Sequence, residues 1–188
     1  MNLIFSADEN WGIGKDNQLL YTIAPDMRNF KEKTIGGAVI MGRKTLDSLP
    51  EGKPLKDRIN IVVTRNPAAV DAAHQETVSG TDRRLYLCEN LGELASCLRI
   101  LALPPDRVWV IGGAEIIQLL LPYSKQAHIT RILSCTSDAD CRTENFDEMA
   151  GWAKTEHGVI QEHDGLFFHF DRYENNFVKE LPEVAINS

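Results

Sequence analysis

Apolar residues fall into short blocks separated by polar, glycine-rich or proline-containing stretches. "NLIFSA" (2–7), "AVIMG" (38–42), "RINIVVT" (58–64), "LYLC" (85–88) and "RVWVIGG" (107–113) are brief runs, several of them rich in β-branched residues. Such runs predict buried strands. Between them lie four predicted helices. "PDMRNFKEKT" (25–34) is stopped by Gly36 and Gly37, and "RKTLDSL" (43–49) is ended by Pro50. "NLGELASCLRIL" (90–101) is capped by Asn90, and "AEIIQLLL" (114–121) is closed by Pro122. Strands alternating with helices predict an α/β fold with a mainly parallel sheet covered on both faces. Beyond Pro122, "QAHITRILSC" (126–135), "GWAKTEHGVI" (151–160) and "LFFHFDRYE" (166–174) read as strands with no helix between them, an antiparallel edge. Residues 9–23 predict a long loop with Gly12, Gly14, Asp16 and Asn17 as turn residues and Trp11 and Leu19 as its apolar contents. Residues 66–84 read as polar and irregular, and the polar tail 175–188 stands outside a single domain 1–174.

Composition narrows the class. The 188 residues are 43% apolar and 25% charged, values suited to one full core. A net charge of −7 argues against non-specific binding to nucleic acid or anionic membranes. No stretch approaches a membrane span, and "MNLIFSADEN" reads as a first strand rather than a signal peptide. Cys88, Cys97, Cys135 and Cys141 form no CxxC pair, which suits idle thiols in a reducing cytosol. The five histidines show no HxxxH or HExxH spacing, and no nucleophilic triad is supported. Hydrolysis and metal catalysis are therefore disfavoured, leaving only a cluster formed in space.

Several residues could carry other chemistry. At 100° per residue, Asp26, Met27 and Phe30 share one side of the helix opened by Pro25, and Arg28, Asn29 and Glu32 the other. An acid in the first turn suits the positive end of a helix; at the edge of an apolar face it could equally serve a pocket. "GIGKDN" (12–17) lacks the third glycine and the following helix of a dinucleotide fingerprint, so a Rossmann reading fails. In "VIMGRKT" a strand meets Gly42 and a helix starts with Arg43, Lys44 and Thr45. Arg43 and Lys44 could be merely solvated, but cations there are unfavourable without an anion, which favours an anion site such as one for a phosphate. "VWVIGGAEI" repeats the strand–glycine–helix junction; Gly112-Gly113 is either a plain tight turn or a second place where a phosphate nears the backbone. Thr64 and Arg65 after one strand, and Arg58 at its start, could hold a phosphate and a carboxylate or could be surface residues.

Taken in order, "WGIGKDNQLL", "PDMRNF", "VIMGRKT", "RINIVVTRN", "VWVIGGAEI" and "HITRI" resemble bacterial-type dihydrofolate reductases from Asn2 to about Tyr173. The resemblance implies a central eight-stranded, mostly parallel sheet with an antiparallel C-terminal strand, flanked by about four helices. It implies cytoplasmic, monomeric, NADPH-dependent reduction of 7,8-dihydrofolate to tetrahydrofolate, inhibited by antifolates of the trimethoprim or methotrexate type. Asp26 matches the pocket carboxylate that receives the pterin N3–H and 2-amino group, and Thr130 its supporting threonine. Tyr21 and Leu19 complete the set at the reacting centre. Ile4, Phe5, Met27, Phe30, Leu49 and Ile111 match the pterin and benzoyl pocket, and Arg58 the partner of the substrate's α-carboxylate.

For the cofactor, Ala7 and Ile13 match residues whose backbone holds the carboxamide. Gly42, Arg43, Lys44 and Thr45 match a phosphate segment. Gly112 and Gly113 match a pair usually joined by a cis peptide. Ala114, Glu115 and Ile116 open the helix facing the pyrophosphate, with Ile111 at the end of the strand before it. Arg43, Lys44, Thr64 and Arg65 would surround the 2′-phosphate. The chain departs from the family pattern in Leu20-Tyr21 for Pro-Trp, in Ile117 for an aromatic and in Glu115 for a cation. The stretch 134–146 is longer than the usual pattern, and Asp140 is its best match for a loop-tethering aspartate. A related pyrimidine reductase of riboflavin synthesis usually lacks the Pro-Asp-Met helix start seen here. A non-catalytic nucleotide-binding protein would draw support only from Leu20, Tyr21 and Ile117.

Overall fold

The computed structural model describes residues 1–70 and 84–182, so most of the 66–84 stretch and the end of the tail lie outside it. The chain runs β1 (Asn2–Ala7), β2 (Gly12–Lys15), β3 (Gln18–Leu19), α1 (Ala24–Thr34), β4 (Ala38–Gly42), α2 (Arg43–Ser48), β5 (Ile59–Val63) and β6 (Leu85–Cys88). It continues through α3 (Leu91–Leu101), β7 (Val108–Gly112), α4 (Ala114–Leu120), β8 (Gln126–Ile132), β9 (Cys141–Arg142), β10 (Trp152–His157), β11 (Gln161–His163) and β12 (Leu166–Asn175). Eight strands form one path in the order β10-β12-β8-β1-β7-β4-β5-β6, and β11 adds a ninth that pairs only with β12. The ladders from β8 to β6 are parallel, and β12 runs against both its neighbours.

Strand period sorts the core. Ile4, Val39, Met41, Val62 and Trp109 point to one face, where they meet Phe30 of α1 and Leu46 of α2. Leu3, Ala7, Ile40, Ile61 and Val110 point to the other, under Leu94 of α3 and Ile117 and Leu120 of α4. With both faces covered, the central strands read as continuous apolar runs.

The expected long loop 9–23 is partly ordered as a hairpin. Asp16 and Asn17 lie at φ 50° and 60°, the left-handed pair that a two-residue hairpin turn needs. β2 also pairs with β9, so the extended 134–146 stretch supplies a strand to the hairpin. The expected strand 151–160 stops at His157, because Gly158 lies against the backbone. A Cβ there would sit 2.5 Å from the Phe170 carbonyl oxygen. The described part of the tail is docked: Asn176 N–H reaches Gly151 O at 2.8 Å, Lys179 N–H reaches Pro122 O at 2.8 Å, and Leu181 packs on the core.

Phe146 holds the extended stretch in place. It is 1% exposed, and its ring centre lies 5.1–5.8 Å from those of Phe5, Trp11, Trp152 and Tyr173. Phe146→Ala is expected to lower stability by about 3–5 kcal/mol through the cavity it leaves. Equilibrium urea unfolding measures this, and a loss under about 1 kcal/mol would contradict the packing role.

Candidate active site

The site begins with a carboxylate taken out of water. α1 starts with Pro25 in its first two positions and no side-chain cap, and Asp26 in its first turn is 9% exposed. Thr130, 2% exposed on β8, donates its hydroxyl to Asp26 Oδ1 at 2.6 Å. Burial pushes the Asp26 carboxyl above its ordinary range, and the Thr130 hydrogen bond opposes that rise. Met27, on the same helix side, is 42% exposed, and Phe30 is half-buried. The helical face is thus graded, with the acid deeper than the methionine.

Ile4, Phe30, Leu49 and Ile111 meet in one apolar cluster on the α1 face. Phe5 does not join them. It is next to Ile4 in a strand, so its ring points to the opposite face, 5.8 Å from Phe146. Ser6 shares Ile4's face instead and pairs in register with Thr130. Strand alternation in "NLIFSA" carries that signal. Ala7 also faces the far side and is 1% exposed, so only its backbone can meet a ligand. Ile13 packs half-buried against the same far-side core.

Arg58 is 7% exposed, not a surface arginine. Its Nε–H donates to Thr34 Oγ1 and its Nη1–H to the Lys56 carbonyl, both at 2.9 Å, and its guanidinium lies 5.8 Å from the Phe30 ring centre. No carboxylate lies within salt-bridge distance of it among the described residues. A buried, oriented cation without an anion is equipped to receive a carboxylate. Leu19 is 51% exposed on the hairpin. Tyr21 is half-buried, and its hydroxyl bonds Ser134 Oγ at 2.9 Å and Thr136 Oγ1 at 2.8 Å, joining the start of α1 to the segment after β8.

The two glycine junctions lie side by side. β4 and β7 are neighbours, with Met41 opposite Gly112, so Gly42 and Gly113 sit at adjacent carboxyl ends and each caps a helix without a side-chain hydrogen bond. Chain connections diverge there, from β4 toward β5 and from β7 toward β8, the usual place for a ligand on an open α/β sheet. The Gly112–Gly113 peptide is cis. Around the junctions, Thr45 Oγ1 lies 3.5 Å from where a Cβ on Gly113 would stand. Lys44, Arg65 and Glu115 are exposed, and Ala114 and Thr64 are half-buried. Arg43 reaches back to Asp47 at 2.7 Å, one turn along its own helix. Ile116 is buried against Gly42, so its side chain shapes the junction from below, and Ile117 is core at 1% exposure.

A second buried acid was not singled out from sequence. Asp8, fully buried, accepts the N–H groups of Asn10 and Gly12 at Oδ1 (3.0 and 2.7 Å) and of Thr136 at Oδ2 (2.8 Å). Arg131 donates to the Asp8 carbonyl at 2.8 Å and stacks 3.8 Å over Trp11. Asp140 accepts the Asp16 N–H at 2.9 Å, and Asn17 donates to the Lys44 carbonyl at 2.9 Å. The hairpin is therefore tied at its base by Asp8 and at its tip both to Asp140 and to α2. "ADENWG" does carry a turn signal for Asp8 in its Asp-x-Asn-x-Gly pattern.

Fold and geometry together define an α/β sheet protein with a buried carboxylate on the first helix and a diverging pair of glycine–helix junctions at the carboxyl ends of its strands. The family model for dihydrofolate reductase matches residues 1–175. The chain is 34% identical to a dihydrofolate reductase of Bacillus subtilis over 93% of this chain and 94% of that one. It is 30% identical to a dihydrofolate reductase of Staphylococcus haemolyticus over 93% and 95%. It is 35% identical to a bifunctional dihydrofolate reductase-thymidylate synthase of Glycine max over 70% of this chain and 26% of that longer protein. The chain belongs to the dihydrofolate reductase family.

Because burial raises the folded-state pKa of Asp26, the folded protein binds more protons than the unfolded chain between the unfolded and folded values. Asp26 therefore makes stability fall as pH rises through that window. Asp26→Asn is expected to raise Tm at neutral pH, with the gain disappearing below the ordinary carboxylate range. Thermal unfolding across pH measures it, and a less stable variant at neutral pH would mean that the Thr130 bond outweighs burial.

Proposed function

We infer that this chain reduces 7,8-dihydrofolate to tetrahydrofolate, with NADPH as the reductant and Asp26 as the group that binds and polarises the pterin. The observation that carries the assignment of Asp26 is its buried carboxylate, held by Thr130 on one oxygen, on the sheet face where Ile4, Phe30, Leu49 and Ile111 form an apolar cluster. Two adjacent N–H groups of a pterin, at N3 and the 2-amino position, suit a carboxylate so placed. A negative charge with few competing dipoles favours the form of the ring that has gained a proton at N5. Thr130 orients the acid and keeps it from becoming protonated too readily. Arg58, buried and without an anion among the described residues, would take the carboxylate at the far end of the substrate. A protonated diaminopyrimidine or diaminopteridine antifolate would pair with Asp26 in the same way.

The residues fit the cofactor. The dinucleotide would lie across Gly42 and Gly113, and its nicotinamide, held by the backbone of Ala7 and Ile13, would supply the hydride that goes to pterin C6. Backbone N–H groups at the starts of α2 and α4 would face its phosphates, and Lys44, Thr64 and Arg65 would surround the 2′-phosphate. Arg43 would join them by leaving Asp47, an exposed pair that holds it weakly. The hairpin 9–23, tied to α2 through Asn17, would cover the nicotinamide and exclude water. Free thiols at all four cysteines suit a reducing cytosol, and a monomer is the expected state.

The test is oxidation of NADPH dependent on dihydrofolate, followed at the nicotinamide absorbance band. Wild type turns over, and Asp26→Asn loses about 10²–10⁴-fold in kcat/KM at neutral pH. No absorbance loss with wild type would sink the activity; an unchanged Asp26→Asn would remove Asp26 from the chemistry. Arg65→Ala is expected to raise the KM for NADPH about tenfold, the loss of one charge-assisted contact, and to leave that for NADH unchanged. Equal losses with both cofactors would place Arg65 away from the 2′-phosphate.

A further inference from the structure

No pair of histidines in this chain has metal-ligand spacing in sequence, yet the sheet edge assembles a compact His–His–carboxylate cluster. On β12, His169, Asp171 and Tyr173 share one face by strand period. On β10 the ladder contains a bulge. Lys154 pairs with Tyr173 and Glu156 with Arg172, so Thr155 is an extra residue. In a regular strand Lys154 and His157, three apart, would face opposite sides. The bulge turns both toward Asp171 and leaves Glu156 to meet Arg172 on the other face at 3.3 Å. Gly158, held by its N–H to Phe170 O at 2.9 Å, ends the strand directly after His157.

The side chains converge closely. His157 Nδ1 and His169 Nδ1 each lie 2.8 Å from the same atom, Asp171 Oδ1, and the rings are 4.4 Å apart at 64°. The three atoms lie within 4.8 Å of one another. The Asp171 side chain has no solvent exposure, and its other oxygen is held by Lys154 Nζ at 3.0 Å, with the Tyr173 hydroxyl, which donates to Asp147 at 2.8 Å, 3.5 Å away. Those outer contacts fix the carboxylate so that one oxygen faces the imidazoles, as supporting groups do around metal ligands. Lys154 also pairs with Asp147 at 2.8 Å, which offsets its charge. The His157 side chain is 59% exposed, giving an ion a path in and leaving positions for water.

We propose that His157, His169 and Asp171 form a binding site for a divalent transition metal of the Zn²⁺, Ni²⁺ or Cu²⁺ kind, joining β10 to β12. Two imidazole nitrogens and one carboxylate oxygen select these ions over Ca²⁺ or Mg²⁺, which prefer all-oxygen shells. Without an ion each Nδ1–H donates to Asp171 Oδ1; on binding, each neutral ring moves that proton through solvent to Nε2 and turns its freed Nδ1 lone pair to the ion, which Oδ1 also ligates. The site is separate from the pterin pocket. Asp171 pairs in register with Ile129, the neighbour of Thr130, and so points to the opposite sheet face. Its occupancy would stiffen the sheet edge that carries Arg131, the register partner of His169 and the anchor of Asp8.

The test uses the whole chain stripped with a chelator, then titrated with Zn²⁺ by calorimetry and with Co²⁺ by visible absorption. Wild type is expected to take up one ion per chain at this site, to show Co²⁺ d–d bands of a nitrogen–oxygen site, and to gain in Tm with Zn²⁺ but not Mg²⁺. His157→Ala, at an exposed position, is expected to weaken binding by at least about 100-fold, more than the loss of an outer-shell contact, with dihydrofolate reduction unchanged. His169→Ala should behave likewise. Failure of wild type to bind Zn²⁺, or the same affinity and Co²⁺ spectrum in the His157→Ala and His169→Ala proteins, overturns the proposal.

Discussion

The 2.6 Å hydrogen bond from Thr130 to Asp26 joins the first helix to the central sheet. A carboxylate at 9% exposure is unfavourable unless something receives it, and one hydroxyl on β8 does so. That contact sets the depth of the first turn of α1 over the sheet. Ladder register sets the faces of the neighbouring strands. With Thr130 turned toward α1, its register partner Ser6 turns the same way, and Ile4 with it. Phe5 and Ala7 must then turn to the far side, where Phe146 and the α4 side of the core receive them. The pocket wall and the opposite core are two consequences of one strand register.

The far side has its own organisation, and it bears on the site from beneath. Phe146 brings the extended stretch after β8 against β1 and β12, and Asp8 accepts backbone N–H groups from both that stretch and the hairpin base. Arg131 closes the arrangement by holding the Asp8 carbonyl and covering Trp11. The hairpin beside the cofactor edge thus rests on a buried acid, a stacked arginine and an aromatic cluster. Its movement would be confined to the part beyond Gly12, where exposed contacts such as Asp16 to Asp140 are the restraints.

Much of this was legible beforehand. The five central strands and four helices follow from apolar runs and helix stops, because a buried parallel strand has only a few residue types open to it. The junction at Gly42 was legible because few other features place cations at a helix start, and the one at Gly112-Gly113 because a glycine pair lies between an apolar strand and a helix. Phe5 was misplaced in the pocket because its assignment followed position in a motif rather than strand alternation. Asp8 was passed over because an acid in a polar stretch looks solvated until its backbone partners are known. Arg58 could have been either buried or exposed, and only its contacts with Thr34 and Phe30 settle that.

By itself the sequence determined the order and kind of the main elements, the turn at Asp16-Asn17, and the residue types able to serve a pterin and a dinucleotide. These depend on local periodicity and backbone preference, which neighbours along the chain carry. The tertiary structure decided which residues meet: Thr130 with Asp26 across 104 positions, Asp8 with Thr136 across 128, and His157 with His169 through Asp171. Those meetings depend on ladder register and on one extra residue at Thr155. A shift of one residue in a strand reverses every side chain's face, and no local pattern in the sequence records that choice.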